Sequence, residues 1–151
     1  MLTVVLLVAG CAAYSGAGLV PGVSTEADVE KAMGPPTDRR QVRGETVRYY
    51  SRLPAGREMF AVRIGADGKL IAIEQRLARE YVDRLRLHES SEENVRDLLG
   101  PPFRTMAFPR QRRHVWLYPA HEGATRFTLN VEFGADGRLL DVQWFDEVDP
   151  D

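Results

Sequence analysis

The sequence predicts an α+β fold of two tandem units, each a short helix (or helix pair) packed on a three-stranded antiparallel meander. Two internal repeats predict it. Ser24-Thr25-Glu26-Ala27-Asp28-Val29-Glu30-Lys31-Ala32-Met33-Gly34-Pro35-Pro36 returns as Ser90-Ser91-Glu92-Glu93-Asn94-Val95-Arg96-Asp97-Leu98-Leu99-Gly100-Pro101-Pro102. Gly65-Ala66-Asp67-Gly68 returns as Gly134-Ala135-Asp136-Gly137. The first pair reads as a helix with its start and stop written in. The second lies between alternating apolar runs, where Asp-Gly marks a hairpin.

Each helix copy begins at a hydroxyl. Ser24 or Thr25, and Ser90 or Ser91, can satisfy free N–H groups of the first turn. Glu26 and Asp28, like Glu92 and Glu93, put negative charge where the helix dipole favours it. Gly34 and Gly100 can take the left-handed conformation that ends a helix, and the following prolines forbid its continuation. Val29, Ala32 and Met33 form the apolar stripe of the first helix; Val95, Leu98 and Leu99 form that of the second.

Between the helices, residues 37–44 read as a polar stretch. Three strands follow at 45–52, 58–65 and 69–76. Phe60, Val62 and Ile64 alternate cleanly in the middle one. Tyr81, Val82 and Leu85 have helical spacing, so 78–87 reads as a helix or helical connector. Past the second helix copy, 103–113 reads as a loop with a basic end. Strands are then expected at 114–118, 125–133 and 138–145. Phe127, Leu129, Val131 and Phe133 share one face, and Leu140, Val142 and Trp144 alternate beside them. The helix copies are offset by 66 residues (90 minus 24) and the hairpin copies by 69 (134 minus 65), a three-residue insertion between them. One unit of this size has a marginal core. Two side by side would share one, as a continuous six-stranded sheet.

The chain of 151 residues allows one ordinary domain or two small ones. Its 44% hydrophobic and 28% charged residues are those of a soluble globular protein. A formal charge of −2 argues against nucleic acid as a partner. Cys11 is the single cysteine, so no internal disulfide can form.

The first ten residues carry no charge and look like the hydrophobic part of a secretory signal. As a helix they would span roughly 15 Å, about half a bilayer core. The usual positive start is missing, since the first basic residue is Lys31, which points to a natural start further upstream. Val8-Ala9-Gly10-Cys11 resembles a bacterial lipobox. That resemblance implies cleavage between Gly10 and Cys11 and acylation of Cys11; several acyl chains hold firmly, at about 0.8 kcal/mol per buried methylene. Ala12 stands where an aspartate would resemble an inner-membrane retention signal, so the resemblance implies the outer membrane of a Gram-negative cell, on its periplasmic face. The competing reading of Cys11 is a buried thiol in an N-terminal strand. The expected organisation is a signal peptide at 1–10, a lipidated tether at 11–18, units at 19–77 and 78–146, and an acidic tail at 147–151.

The residues of catalysis are not arranged for it. His88, His114 and His121 have no partner at i, i+4, and His121-Glu122-Gly123 lacks the second histidine of a zinc-protease helix. No Gly-x-Ser-x-Gly elbow occurs. No catalytic residue, metal ligand or cofactor is therefore assigned. Arg104, Arg110, Arg112 and Arg113, with His114, form one basic cluster able to meet anionic headgroups or an acidic partner; the alternative is a solvated loop. Tyr49, Tyr50, Trp116, Tyr118, Trp144 and Phe145 lie on expected strands in both units. Any of them left on an open sheet face would be a binding anchor.

A lipobox, then Pro21-Gly22-Val23-Ser24-Thr25 with Val29, then Met33-Gly34-Pro35-Pro36, an aromatic strand and an Asp67-Gly68 hairpin resembles the SmpA/OmlA family, the BamE-like outer-membrane lipoproteins. The first unit matches in order over 19–75. The second matches over 78–144 and supplies the preceding helix that the first lacks. The resemblance implies helices followed by a three-stranded antiparallel sheet. It also implies barrel-assembly components, or other envelope proteins, as partners. A typical member has one such unit, and this chain has two. The duplication also resembles the β-lactamase inhibitor protein, whose two repeats form a concave sheet that grips an enzyme. The first functional expectation is thus a lipid-anchored, non-catalytic periplasmic adaptor supporting β-barrel outer-membrane protein assembly or envelope integrity. The second is a periplasmic protein inhibitor or sensor that binds an enzyme through the duplicated sheet, marked by exposed aromatics across both units. An enzyme would need a cleft joining His114, His121 and carboxylates.

Overall fold

The computed structural model describes residues 15–147. The signal peptide at 1–10, Cys11 and the first part of the tether, and tail residues 148–151 lie outside the described residues. In chain order the elements are α1 (Glu26–Met33), β1 (Asp38–Val42), β2 (Glu45–Ser51), β3 (Met59–Ile64), β4 (Leu70–Gln75), α2 (Arg79–Val82), α3 (Glu92–Leu99), β5 (Arg104–Phe108), a 3-10 turn (Pro109–Gln111), β6 (Arg113–Glu122), β7 (Thr125–Gly134) and β8 (Leu139–Asp146).

This architecture corrects the expected α+β class. The described chain is mainly β, built of two four-stranded antiparallel meanders ordered β1-β2-β3-β4 and β5-β6-β7-β8, with small helices only. The sheets are neither three-stranded nor joined into one sheet of six. The extra strands are β1 and β5, drawn from stretches that read as a polar segment and a basic loop. Both are edge strands of five residues. An edge strand needs only one ladder and is solvated on its outer side, so Asp38-Arg39-Arg40-Gln41 can be a strand without an apolar row. The expected helix over 78–87 shrinks to the four residues of α2. Its start has no side-chain cap, and His88 beyond it gives its N–H to Leu139 O, drawing the segment onto the second sheet. β6 runs on through Pro119 to Glu122. Pro119 lies past Leu117, the last residue paired by β5, where one side of the strand has no ladder to serve.

The repeat itself is reproduced bond for bond. Thr25 caps α1 and Ser91 caps α3, each through a reciprocal capping box, with Asp28 and Asn94 as the returning side chains. Gly34 and Gly100 both end their helices at φ 80°, with ψ −165° and −172°. That is an extended conformation of positive φ rather than the expected left-handed helical one, and it belongs to glycine alone. The aspartate-bearing turn is fixed the same way in both units: Asp67 accepts the N–H of Lys69 and Asp136 that of Arg138. Both third strands carry a register shift before the turn, at Arg63/Ile64 and Glu132/Phe133.

Two cores result. Val29 and Met33 of α1 pack with Tyr50, Val62, Ile64 and Leu70 on the inner face of the first sheet. The larger core spans both units. Val95 and Leu99 of α3 and Tyr81 and Val82 of α2 lie among Tyr118, Leu129, Val131 and Phe133 of the second sheet and Tyr49, Met59 and Ala61 of the first. Strand parity puts Tyr49 on the opposite face of the first sheet from Tyr50. The first sheet is therefore covered on both faces, by its own helix and by the next unit's.

Candidate functional site

The joint between the units is a helix laid on the outer face of a sheet, and it defines where a second such contact can form. Asp38 and Arg40 alternate along β1 and point to α3. Arg40 takes Asp97 through Nε and reaches Glu93 at 3.4 Å, while Asp38 accepts from Arg96 at 3.1 Å. Tyr49, paired with Asp38 across the ladder, donates its hydroxyl to Asp97 O. Burial pushes that hydroxyl up to about 12. Tyr118 reaches from the other sheet to Gly100 O at 3.0 Å, and burial moves it in the same direction. Gly100 lies so close to the first sheet that a Cβ there would stand 2.8 Å from the Tyr49 ring.

The repeat carries every position of this joint into the second unit. The row Asp38, Tyr49, Ala61 becomes Arg104, Leu117, Asn130. The row Arg40, Val47, Arg63 becomes Met106, Val115, Glu132. Ser51 and Met59 become Pro119 and Thr128, with Phe145 beside them. No helix of the described residues lies on this face. α1 is on the first sheet, α3 is between the sheets, and α2 puts Arg79 over the rings of Phe127 and Trp144, on the inner side. The face is open at its edges, with Met106 43% and Phe145 48% exposed, while Val115 and Pro119 in its middle strand are buried. Asn130 Oδ1 is shielded within it and has no donor.

The basic cluster expected in a loop is dispersed. Arg104 is on β5 at the rim of this face, exposed, its guanidinium 5.7 Å from the Phe103 ring. Arg110 lies in the 3-10 turn, and Arg112 ends it at φ 51°. Arg113 begins β6 and is tied to Glu132 at 2.7 Å. His114 is on the other face, stacked on Phe133 and 3.0 Å from Glu92. His121 lies at the far end of β6, roughly 23 Å from His114 at the rise of a strand, and 3.5 Å from Glu58. The two histidines share no cleft. Tyr49, Tyr50, Trp116 and Tyr118 are core residues, and Phe145 is the member of the aromatic set that stands exposed. Cys11 and Gly10 lie outside the described residues. Met106, Leu117 and Asn130 carry no motif. The signal that could have found them is the repeat offset, applied once β1 and β5 are known to be strands.

A cleft of about 840 Å³ opens beside the joint, lined in part by Arg43, Arg63, Arg76, Arg84 and Arg86. Its deeper charges are already answered. Arg63 holds Glu45 at 2.7 Å and Glu74 at 3.3 Å, and its hydrogen bonds keep the Glu45 carboxyl below the usual range. Arg76 is buried against Glu74 and gives a hydrogen bond to Leu98 O at 3.0 Å.

No protein-family model matches the chain, and no curated protein matches it. Among solved structures it is similar to a DUF4309 family protein, YjgB, of Bacillus subtilis, at 24% identity over 87% of this chain and 84% of that one, with a TM-score of 0.35. A likeness of that degree carries no argument about function. No helix among the described residues is long and apolar enough to cross a membrane.

Proposed function

We propose that this chain is a lipid-anchored, non-catalytic adaptor on the periplasmic face of the outer membrane. It supports β-barrel outer-membrane protein assembly or envelope integrity, and the outer face of its second sheet is its protein-binding surface. The observation that carries the reading is the asymmetry of the two sheets. The same face that holds a helix in the first unit is open in the second, with Met106 and Phe145 in solvent. Anchoring rests on Val8-Ala9-Gly10-Cys11. From Cys11 to the cap at Thr25 the chain can extend at most about 50 Å, which keeps both units close to the membrane surface.

The inhibitor reading asked for exposed aromatics across both units. Phe103 and Phe145, the large exposed aromatics of the described chain, both belong to the second unit, which favours the adaptor. Fractionation of cells expressing Cys11→Ser tests the anchor. The variant is expected in the soluble periplasm and the parent in outer membrane. A variant that still sediments with outer membrane refutes lipidation. Recovery of no barrel-assembly component with the parent in mild detergent removes the assembly version.

A further inference from the structure

We infer that the open outer face of the second sheet receives the α1 end of a second copy of this chain. The protein then assembles head to tail, and each new contact repeats the joint already present between its own two units. This deepens the proposed adaptor role, on which it rests for the identity of the binding face.

The two ends of the molecule keep one ion pair of this joint and exchange its other polar contacts for apolar ones. Inside the chain, Asp38 of the socket grips Arg96 of the incoming helix at 3.1 Å. At the free socket Arg104 replaces Asp38, and at the free helix Glu30 replaces Arg96, so the pair is kept with its charges exchanged. The Glu30 side chain is 56% exposed while it holds Arg48 at 3.2 Å, so one of its sides is open to a second cation. Arg104 has the Phe103 ring beside it and no carboxylate among the described residues. Where Arg40 takes Glu93, Met106 meets Ala27, an apolar pair in place of an ionic one. Lys31 stands at the place of Asp97 and comes opposite Met106, so the Arg40–Asp97 pair has no ionic counterpart at the free ends.

The apolar surface agrees. The segment leading into α3 carries Arg86 and Glu89 on the wall of the joint cleft. Their counterparts ahead of α1, by the same offset, are Val20 and Val23, exposed to 51% and 68%. Across the free socket, Phe108 stands at the place of Val42 and Met106 at that of Arg40. On the helix side of the internal joint these positions are charged, and on the socket side they are Arg40 and Val42; at the free ends all four are apolar. Isolated exposed aliphatics need no explanation, but two matched sets at the two ends of a repeat do. Because the two surfaces differ, the contact is heterologous and does not close at a dimer.

The test uses the soluble full chain carrying Cys11→Ser, with mass measured by sedimentation across concentration. The parent is expected to grow past dimer as concentration rises. Val23→Arg spoils one end and Met106→Arg the other, and both substitutions are at exposed positions that leave the fold intact. Each variant alone is expected to be monomeric, while an equimolar mixture forms a dimer and stops there, since each contributes its one sound end. Arg104→Glu is expected to weaken growth about fivefold, the value of one exposed to half-exposed ion pair. A parent that stays monomeric, a parent that closes at dimer, or a mixture that fails to pair overturns the inference. The lipid plays no part in this measurement, so its failure leaves the fractionation result for Cys11→Ser standing, and the reverse also holds.

Discussion

Gly100 and Gly34 offer a controlled pair of substitutions, because the repeat places them in one backbone conformation and two environments. Both have φ 80° and an extended ψ. Alanine at either site bears the strain of a residue held at positive φ, about 1–3 kcal/mol. At Gly34 a Cβ meets nothing within 4 Å, so strain is the whole cost. At Gly100 it would lie 2.8 Å from Tyr49 Cδ1, 3.0 Å from Met59 Sδ and 3.1 Å from Met59 Cγ. The Met59 thioether can give way. The Tyr49 ring cannot, since it is fully buried and its hydroxyl is bonded to Asp97 O. Overpacking of this kind adds about 1–3 kcal/mol. Gly100→Ala should therefore lose more stability than Gly34→Ala by that margin, as a lower urea midpoint at unchanged slope. Equal losses for the two variants would mean that the end of α3 is not pressed on the first sheet, and the joint described here would be wrong.

Two further predictions concern the same joint. Arg40→Ala leaves the half-buried Asp97 carboxylate without its main partner and should cost about 1–3 kcal/mol; in Arg40→Ala/Asp97→Ala the losses should fall short of additive, and strict additivity in urea unfolding would refute the pair. Alkaline titration should destabilise the fold. Tyr49 is raised to about 12 by burial, so its contribution is complete below pH 10, where the unfolded chain also holds the proton, and it is lost as pH climbs from 10 to 12. The loss should approach about 3 kcal/mol, with Tyr49→Phe flattening the dependence; an unchanged slope in that variant would assign the effect elsewhere.

The parts of this fold that were legible in the sequence are those set by neighbouring residues. A capping box needs only four positions, so Thr25 with Asp28 and Ser91 with Asn94 can be read directly. The Asp67-Gly68 and Asp136-Gly137 hairpins are equally local. What escaped depends on partners far along the chain. β1 has a single apolar residue, Val42, and is held by its ladder to β2 and by ion pairs to α3, neither of which leaves a periodic trace. Arg48 is a sharper case. It sits between Val47 and Tyr49 on a buried strand and is itself 5% exposed, because Glu26 and Glu30 of α1 close over it. Glu26 reads from sequence as a charge suited to a helix start, and Glu30 carries no signal of its own. Their role over Arg48 appears only when the helix lies on the sheet. The open face was hidden for the same reason: its members become neighbours only through a register that the missing edge strands would have revealed.

The outer face of the second sheet is expected to be occupied in the cell. A photo-reactive phenylalanine analogue at Met106, on that face, tests this directly, with Ile71, exposed on the first sheet, as the control position. Irradiation of intact cells should give a discrete adduct from Met106, and mapping should place this chain's own α1 end or an envelope protein in it, while Ile71 gives none. Adducts from Ile71 alone, with Met106 unreacted, would contradict the account.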